Sequence, residues 1–317
     1  MDALFPRVHA SRKQTVRKPN FFLIGAPKCG TTAMHEYLRQ HPQVFMSRVK
    51  EPHYFCSDFP AYRAVCTKEE YEALFAKAVD ELVVGESSVF YLCSATAVPA
   101  ALEFAPDAKF LLMLRNPLEM LPSLHAQLLY GFREDEPDFA AAWRLQEARA
   151  LGRRLPPLCR APEHLQYGDV ARFASQLRRV FDHVDRRRVH VVLYDDFAQN
   201  LQAEYGKVIR FLELPQAEKI AFQRVNQHKS HRWPAISRLL IRPPEPLMRL
   251  KRTLKKKFGA HETAPSKLLY RILSSQQKRG PLDAKIRNEI VDRLRSEVEE
   301  LQDLLGRSLS HWGFTDN

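Results

Sequence analysis

The sequence predicts an α/β protein with a P-loop-like parallel sheet, helices on both faces of that sheet, and a helical C-terminal portion. Short apolar runs alternate with segments of helical spacing, which is the pattern of parallel strands joined by helices. The first of these runs leads into "GAPKCGTT", residues 25–32, a glycine-bounded turn of the kind that joins a buried strand to a helix.

The predicted elements follow one another in that alternating order. Strands are expected at 21–25, 81–87, 109–115 and 188–194, where short apolar runs would be buried on both faces of the sheet. A helix is expected from Thr31 to just before Pro42, and further helices at 68–79, 94–104, 117–131, 138–151, 169–184 and 200–212. Beyond residue 225 no strand is expected, only a basic amphipathic helix at 246–258 and a charged helix at 283–305.

Length and composition fit one sizeable domain. With 317 residues, 45% of them hydrophobic, we expect a basic N-terminal arm at 1–20 and a single domain at 21–317 that becomes helical from about residue 226. No apolar run approaches the ~18 residues that a membrane span needs. Five cysteines without a C-x-x-C pair argue against a disulfide framework or a zinc site, and favour a cytoplasmic location.

The positive charge is concentrated in two patches. Of the net charge of +12, residues 1–20 carry +4 and residues 238–257 carry +7. These patches are either solvated surface or attract an anionic substrate, a membrane surface or nucleic acid. The helix expected at 246–258 suits peripheral membrane contact or an acidic acceptor. It lacks the interleaved aromatic residues of single-strand sites, so no nucleic-acid partner is expected.

The loop at 25–32 resembles a Walker phosphate-binding loop but departs from it at the decisive positions. A Walker loop reads G-x-x-x-x-G-K-[ST], whereas here Gly30 is followed by Thr31 and Thr32, and the lysine, Lys28, lies inside the loop. Backbone N–H groups and the helix dipole still converge on one point, which favours an anion. Without the lysine–hydroxyl pair, a magnesium triphosphate is disfavoured.

A second anion site is predicted in "LLMLRNPLEMLPS", residues 111–123. The strand would deliver Arg115 to its carboxyl end, where open α/β sheets bind ligands. Ser123 would follow two turns along the next helix. An arginine fork and a hydroxyl can clamp a phosphate, so the two segments together describe a ligand with phosphates at two places.

The order of these motifs resembles the sulfotransferases that use 3′-phosphoadenosine 5′-phosphosulfate (PAPS), most of all the bacterial and heparan-sulfate-type branch. The blocks are "FFLIGAPKCGTTAMHEYLRQHPQV", "KEPHYF", "GESSVFYL" and "LRNPLEMLPS", and the likeness covers about residues 20–313. It implies an enzyme that moves a sulfuryl group from PAPS to a hydroxyl or amine of a carbohydrate, lipid or small molecule. The resemblance also implies in-line displacement and no metal.

The resemblance assigns roles to individual residues. Its first block would hold the 5′-phosphosulfate, and its Arg/Ser block the 3′-phosphate. Lys28 would neutralise the leaving phosphate and Glu51 would act as the catalytic base. The implied donor-binding residues are Lys28, Cys29, Gly30, Thr31, Thr32, Arg115, Ser123 and, on a closing loop, Arg232.

The base and the acceptor contacts have alternatives. Glu51 could instead be a surface salt-bridge residue. His53 and His125 are rival bases, although His125 lies two residues past Ser123, where the branch with an accessory histidine has it four past. The acceptor side is expected to hold His53 and three residues of the "GESSVFYL" block, Glu86, Ser88 and Tyr91. That block has Ser87 where relatives that act on anionic glycans often have a lysine, which argues against a heparan-like acceptor.

Two other classes of protein remain as alternatives. "VVLYDD", residues 191–196, imitates the strand-then-aspartate pattern of a P-loop kinase or NTPase, and magnesium dependence would separate that class from a sulfotransferase. A basic membrane-surface binding protein is the other. Acceptor identity and oligomeric state are not encoded in any motif. Acceptor specificity is expected to depend on the loops at 52–70, 130–168 and 230–280.

Overall fold

A computed structural model of the chain describes residues 17–159, 161–217, 220–223, 230–231, 274–275 and 281–314. Its centre is a five-stranded parallel sheet in the order β2-β3-β1-β4-β5. The strands are β1 (Phe21–Gly25), β2 (Val44–Met46), β3 (Val83–Ser87), β4 (Lys109–Leu114) and β5 (Val189–Leu193). Because β1 and β3 are buried at every residue, the sheet is covered on both faces, and the predicted α/β class is confirmed.

Helices connect and cover the strands. Short 3₁₀ turns lie at Pro60–Tyr62, Pro162–Leu165, Arg186–Arg188 and Ser310–Trp312. The described helices are α1 (Thr31–Leu38), α2 (Lys68–Ala73), α3 (Ala97–Phe104), α4 (Pro117–Tyr130), α5 (Phe139–Arg144), α6 (Gln146–Ala150), α7 (Tyr167–Val170), α8 (Phe173–His183), α9 (Tyr194–Gln199), α10 (Leu201–Phe211) and α11 (Ala284–Leu305). None of these helices is long and apolar enough to cross a membrane.

Helix boundaries follow local capping chemistry. The hydroxyl of Thr67 accepts the N–H of Glu70, and the Glu70 carboxylate accepts the N–H of Thr67, so a capping box starts α2. Asn116 caps α4, and Pro117 stands at its first position, where a missing N–H costs nothing. At its other end, α11 stops at Gly306, whose φ of 60° is left-handed.

Four sequence expectations differ from the structure. The edge strand β2 was not expected, because three residues are too few to show a strand pattern. The expectation of no strand beyond residue 225 is wrong, since β6 (Ser230–His231) pairs antiparallel with β7 (Ser274–Ser275). The helix expected at 138–151 is two helices that meet at Leu145, and the one expected from residue 68 ends at Ala73. The helix expected at 246–258 lies outside the described residues.

The parallel sheet gathers the functional segments at one edge. All five strands end at the same side, so the loop after β1, Arg115 after β4 and Tyr194 after β5 share that side. The segment after β2 joins them, because the N–H of Glu51 donates to the carbonyl of Ser87 at 2.8 Å, where β3 ends. Four chain segments therefore meet where an open α/β sheet places its ligand.

Candidate active site

The loop between β1 and α1 has a backbone shape that demands glycine at its end. Gly30 has a φ of 89°, and a Cβ there would lie 3.2 Å from the ring of Tyr194 and 3.3 Å from the Met113 methyl. The N–H of Ala26 donates to the Met113 carbonyl at 2.7 Å, which anchors the start of the loop to β4. The loop is therefore fixed against β4 and Tyr194.

Backbone donors at the end of this loop are available to a ligand. Within the described part of the chain, the N–H groups of Gly30, Thr31 and Thr32 have no hydrogen-bond acceptor. They lie in the first turn of α1, where the helix dipole is positive, and Lys28 adds a formal charge beside them. Groups arranged in this way favour an anion such as a phosphate or a sulfate.

Cys29 belongs to the loop only through its backbone. Its thiol is fully buried and donates to the Pro27 carbonyl at 3.3 Å. Burial raises the pKa of this thiol well above its usual value, against the opposing charges of Arg115 and Lys28. The side chain is therefore a neutral packing group, and no thiolate nucleophile is available at the loop.

The second anion site lies at the start of α4. Arg115 stacks over the Tyr194 ring with its guanidinium 4.3 Å from the centroid, and its Nε and Nη2 donate to one oxygen of Glu119 at 3.1 and 2.6 Å. Ser123 is 2% exposed, and its hydroxyl has no hydrogen-bond partner among the described residues. A buried hydroxyl without a partner is costly, and a phosphate oxygen would satisfy it. We call residues 25–32 with Arg115 and Ser123 the anion-binding edge.

The acidic pair after β5 holds the C-terminal segment. Asp195 accepts from the Trp312 indole at 2.6 Å and lies 3.2 Å from His311, while Asp196 pairs with Arg307. The Asn116 amide also donates to the Trp312 carbonyl at 3.1 Å. The Walker-like pattern of "VVLYDD" therefore has a structural explanation. Within the described ranges, no cluster of three or more His, Cys, Asp or Glu residues could hold a metal ion.

Glu51 lies beside the end of β3 in a strained turn. Its φ is 61°, and its carboxylate pairs with Lys50 at 2.6 Å between Nζ and Oε1. Burial opposes ionisation of Glu51, but the charge of Lys50, with smaller contributions from His53 and Arg133, holds the pKa of Glu51 below its ordinary value. The carboxylate is therefore ionised at neutral pH and can accept a proton.

His53 presents an unprotonated nitrogen beside this carboxylate. It is 1% exposed, and its Nδ1–H donates to the Glu51 carbonyl at 3.0 Å, so Nε2 carries the lone pair. That Nε2 is buried and has no partner among the described residues. Burial lowers the pKa of His53 to about 4, so the imidazole is neutral at pH 7 and a weaker base than an ordinary histidine.

The three residues of the "GESSVFYL" block form a buried support beneath His53. The Ser88 hydroxyl accepts the His53 N–H at 3.0 Å and donates to Glu86 at 2.7 Å, and Glu86 also accepts from Tyr71 at 3.2 Å. Tyr91 accepts the N–H of Phe55 at 3.3 Å. Burial raises the pKa of Glu86 to about 7. Glu86, Ser88 and Tyr91 thus brace the turn that carries Glu51 and His53.

A cavity of about 320 Å³ opens in front of Glu51. Three segments line it, at 51–64, 128–133 and 159–165, so two of the three loops expected to set acceptor specificity form its wall. Glu51, His53, Tyr62, Arg63, Arg133 and His164 supply its polar groups. We call this space the Glu51 cavity. Its volume is at the lower end of the ~300–1,000 Å³ of ligand pockets, enough to enclose one end of a larger molecule.

The comparison with known proteins identifies the family. The sequence model described as "Sulfotransferase domain" matches residues 18–240, which is more than half of the chain. The chain belongs to the sulfotransferase domain family. The resemblance drawn from the motifs is therefore confirmed at the level of the family.

Individual relatives agree with this family. The chain is 27% identical over 257 residues to human carbohydrate sulfotransferase 15, covering 63% of this chain and 45% of that protein. It is 30% identical over 113 residues to human heparan sulfate glucosamine 3-O-sulfotransferase 6, covering 36% and 31%. The chain thus spans less than half the length of these curated relatives. The crystal structure of a sulfotransferase from Alicyclobacillus acidocaldarius covers 94% of this chain and 100% of its own, with 24% identity and a TM-score of 0.66, which supports the fold.

The remaining predicted site residues lie outside the wall of the Glu51 cavity or outside the described residues. His125 is buried on α4, where its Nε2 bonds the Glu136 carbonyl at 2.8 Å and its ring packs near Phe139 and Tyr167. Its role as a base stays a prediction, and among the described residues it is not part of the wall of the Glu51 cavity. Arg232 lies outside the described residues.

Tyr194 is a site residue that sequence reasoning missed. Its ring contacts both halves of the anion-binding edge, Gly30 on one side and Arg115 on the other. The available signal was an aromatic residue at the carboxyl end of a buried strand, next to the acidic pair that drew attention instead.

Proposed function

We propose that this protein is a PAPS-dependent sulfotransferase whose acceptor is a carbohydrate hydroxyl. The observation that supports this most is the anion-binding edge. It offers unpartnered backbone donors at Gly30, Thr31 and Thr32, and an unpartnered buried hydroxyl at Ser123 with the arginine fork of Arg115. Two separate anion sites at one sheet edge match a donor that carries a phosphosulfate at one end of its nucleoside and a phosphate at the other.

Two groups of residues in this edge would bind the two ends of the donor. The first turn of α1 and Lys28 would take the 5′-phosphosulfate, because they concentrate N–H donors and positive charge. Arg115 and Ser123 would take the 3′-phosphate. Arg115 already bonds Glu119, so its fork must be shared with or exchanged for the phosphate. PAPS supplies the activated sulfuryl group.

The reaction would be a displacement at sulfur. A bond forms between the acceptor oxygen and sulfur, and the bond between sulfur and the bridging phosphate oxygen breaks, which leaves negative charge on the phosphate. Lys28 and the loop N–H groups neutralise that charge as it develops. Because the donors are fixed by the contacts of the loop with β4 and Tyr194, little reorganisation is needed.

Glu51 is the group best placed to remove the acceptor proton. It borders the Glu51 cavity, and it is ionised at neutral pH because Lys50 lies 2.6 Å away. The lone pair of His53 Nε2 would accept a hydrogen bond from the acceptor and orient it, rather than take the proton, since its pKa is about 4. A carbohydrate acceptor is supported by the names of the relatives, both of which are sulfotransferases of sugars.

Calorimetric titration with 3′-phosphoadenosine 5′-phosphate (PAP), in the absence of magnesium, tests this function. Micromolar binding is expected for the unmodified protein. Lys28→Ala and Arg115→Ala should each weaken it at least about tenfold, or ~1.4 kcal/mol. Lys77→Ala and Arg153→Ala, at exposed positions away from the edge, are the matched controls and should leave binding unchanged.

The same titration can overturn the proposal. If the unmodified protein does not bind PAP but binds ATP with magnesium, the kinase or NTPase alternative replaces it. If PAP binding is equally weak in the Lys28, Arg115 and control variants, the anion-binding edge is not the donor site.

A further inference from the structure

The Glu51 cavity has an unbalanced set of charges. Its charged lining residues are Glu51, Arg63 and Arg133, and the Glu51 carboxylate is already paired with Lys50. His53 and His164 also line it, and burial lowers the pKa of both, so they add no charge at neutral pH. The wall therefore carries more positive than negative charge before an acceptor enters.

Arg133 is one of the two arginines in this wall, and its guanidinium keeps hydrogen-bond donors for a ligand. Its Nη1 donates to the Tyr62 hydroxyl at 2.6 Å, and its guanidinium carbon lies 5.0 Å from the Tyr62 ring centroid. Among the described residues, no carboxylate forms an ion pair with it. Tyr62 thus holds Arg133 from one side, and the rest of its donor fork remains for a ligand.

The carboxylate next to Arg133 in the chain is fully engaged elsewhere. Both oxygens of Glu134 bond Arg149, each at 2.6 Å, and one also accepts from Tyr167 at 2.7 Å. The side chains of Glu134 and Arg149 are completely buried. Glu134 therefore cannot neutralise Arg133, and its ion pair fixes the turn after α4 from which Arg133 extends.

Two buried histidine nitrogens in the same wall also lack a hydrogen-bond partner among the described residues. They are the Nε2 atoms of His53 and His164. The two rings share aromatic neighbours, since Tyr62 and Phe90 each contact both. Buried polar atoms of this kind indicate that the wall is completed by a polar ligand.

From this arrangement we infer that Arg133 determines acceptor specificity: it pairs with an oxyanion, a carboxylate or a sulfate ester, carried by the acceptor near the hydroxyl that faces Glu51. An arginine fork matches the geometry of either group. His53 and His164 bond neighbouring polar groups of the same acceptor. The inference rests on the proposed function and adds the acceptor chemistry: an acidic sugar is preferred over a neutral one. Ser87 argued against a heparan-like acceptor because a lysine is missing there, and on this inference Arg133 supplies a cation from a different segment of the wall.

A binding comparison with three small sugars tests this inference. Glucuronate, glucose 6-sulfate and glucose are titrated into the full chain, with and without saturating PAP, and followed by NMR chemical-shift changes. At least one of the two acidic sugars should bind about tenfold tighter than glucose, or more, since hydrogen bonds to charged groups have that strength. Tighter binding of glucuronate indicates that the oxyanion is a carboxylate, and tighter binding of glucose 6-sulfate indicates a sulfate ester.

Substitutions of Arg133 test whether this residue causes the preference for acidic sugars. Arg133→Gln should erase the preference for acidic sugars, so that the two acidic sugars and glucose bind with similar affinity. Arg133→Lys should retain part of it, because the charge stays but the fork is lost. Arg153→Gln, at an exposed arginine outside the Glu51 cavity, is the control and should behave like the unmodified protein.

Equal binding of all three sugars to the unmodified protein overturns the inference, and so does a preference that survives Arg133→Gln. If Arg133→Gln does not fold, Arg133→Lys decides, since an undiminished preference there also overturns it. Failure of PAP binding would instead count against the proposed function, because the sugar titrations without PAP report on the Glu51 cavity alone.

Discussion

The anion-binding edge and the Glu51 cavity lie side by side but are built differently. The edge presents mainly backbone N–H groups and cations placed by strand ends, and its shape depends on one left-handed glycine at position 30. The cavity presents side chains from three loops that are distant in sequence, held by buried aromatic contacts and by the Glu134–Arg149 ion pair. The edge thus suits a donor that is the same for every acceptor. In the cavity, by contrast, a single substitution can change which acceptor binds.

This difference predicts that damage to one region leaves the other intact. Helix α4 connects them, since Arg115 and Asn116 stand at its start and Arg133 follows its end. Its 14 residues span about 21 Å, so Arg115 and Arg133 at its two ends are far apart. Ser123 of the edge and Leu128 of the cavity wall both lie within this helix. Four substitutions test that separation.

The largest effect is expected from Arg149→Met. It leaves the Glu134 carboxylate buried without its partner, which should lower the free energy of unfolding by about 3–5 kcal/mol in urea denaturation. Arg144→Met is the matched control, because its pair with Glu289 is half exposed and is expected to contribute only about 0–1 kcal/mol. Equal losses of unfolding free energy in the two variants would contradict this account. If Arg149→Met folds but binds PAP more weakly, the edge and the Glu51 cavity are not independent.

Gly30→Ala should damage the edge. The left-handed φ of 89° costs an alanine about 1–2 kcal/mol, and its Cβ would press on Tyr194 at 3.2 Å. Gly152→Ala is a matched control with a φ of 74° and no atom within 4 Å of the added carbon. Thermal unfolding should show destabilisation in both variants, whereas PAP titration should show weaker binding in Gly30→Ala alone. Equal PAP affinity in both variants would show that the loop at 25–32 does not contribute to donor binding.

Ser123→Ala should affect PAP binding but not stability. The hydroxyl has no partner among the described residues, so its loss should leave stability nearly unchanged while weakening PAP binding by about 0.5–1.5 kcal/mol. Ser94→Ala should do the reverse, since the Ser94 hydroxyl donates to Asp58 at 2.6 Å and caps the start of α3. Urea denaturation and calorimetry on both variants measure this. Unchanged PAP affinity in Ser123→Ala would leave the hydroxyl without a role.

The smallest effect concerns the base and is seen in the pH profile. Lys50 helps to hold the pKa of Glu51 below its ordinary value, so Lys50→Met should raise that pKa and move the acidic limb of the kcat/KM profile to higher pH. Lys68→Met, at an exposed lysine on α2, should leave the limb in place. An unmoved limb in Lys50→Met would show that Glu51 is not the titrating base.

The sequence predicted the edge far better than the cavity, for a physical reason. Gly25, Lys28 and Gly30 lie within one short segment, and Arg115 and Ser123 within one strand-to-helix segment, so local spacing reports their geometry. The wall of the Glu51 cavity depends on contacts such as Arg133 with Tyr62, which are 71 residues apart. Spacing along the chain carries no information on such a pair.

The same distinction explains individual outcomes in the fold. β1 was predicted at its observed bounds because an apolar run ends at a glycine, whereas β2 has three residues and no such signal. Glu86, Ser88 and Tyr91 were expected to face the acceptor, but only the packed structure shows that they support His53 from beneath. The role of each proposed site residue stays a prediction until the variants are measured.

The attachment of the C-terminal segment has a consequence for the donor site. Trp312 and Arg307 are bound to the two aspartates beside Tyr194, and Trp312 is also bound by Asn116 next to Arg115. Residues 307–312 are therefore attached directly next to Arg115 and Tyr194, so a substitution such as Trp312→Phe, which removes the indole N–H, tests whether this attachment matters for donor binding. Calorimetric titration with PAP should be compared between Trp312→Phe and the unmodified protein.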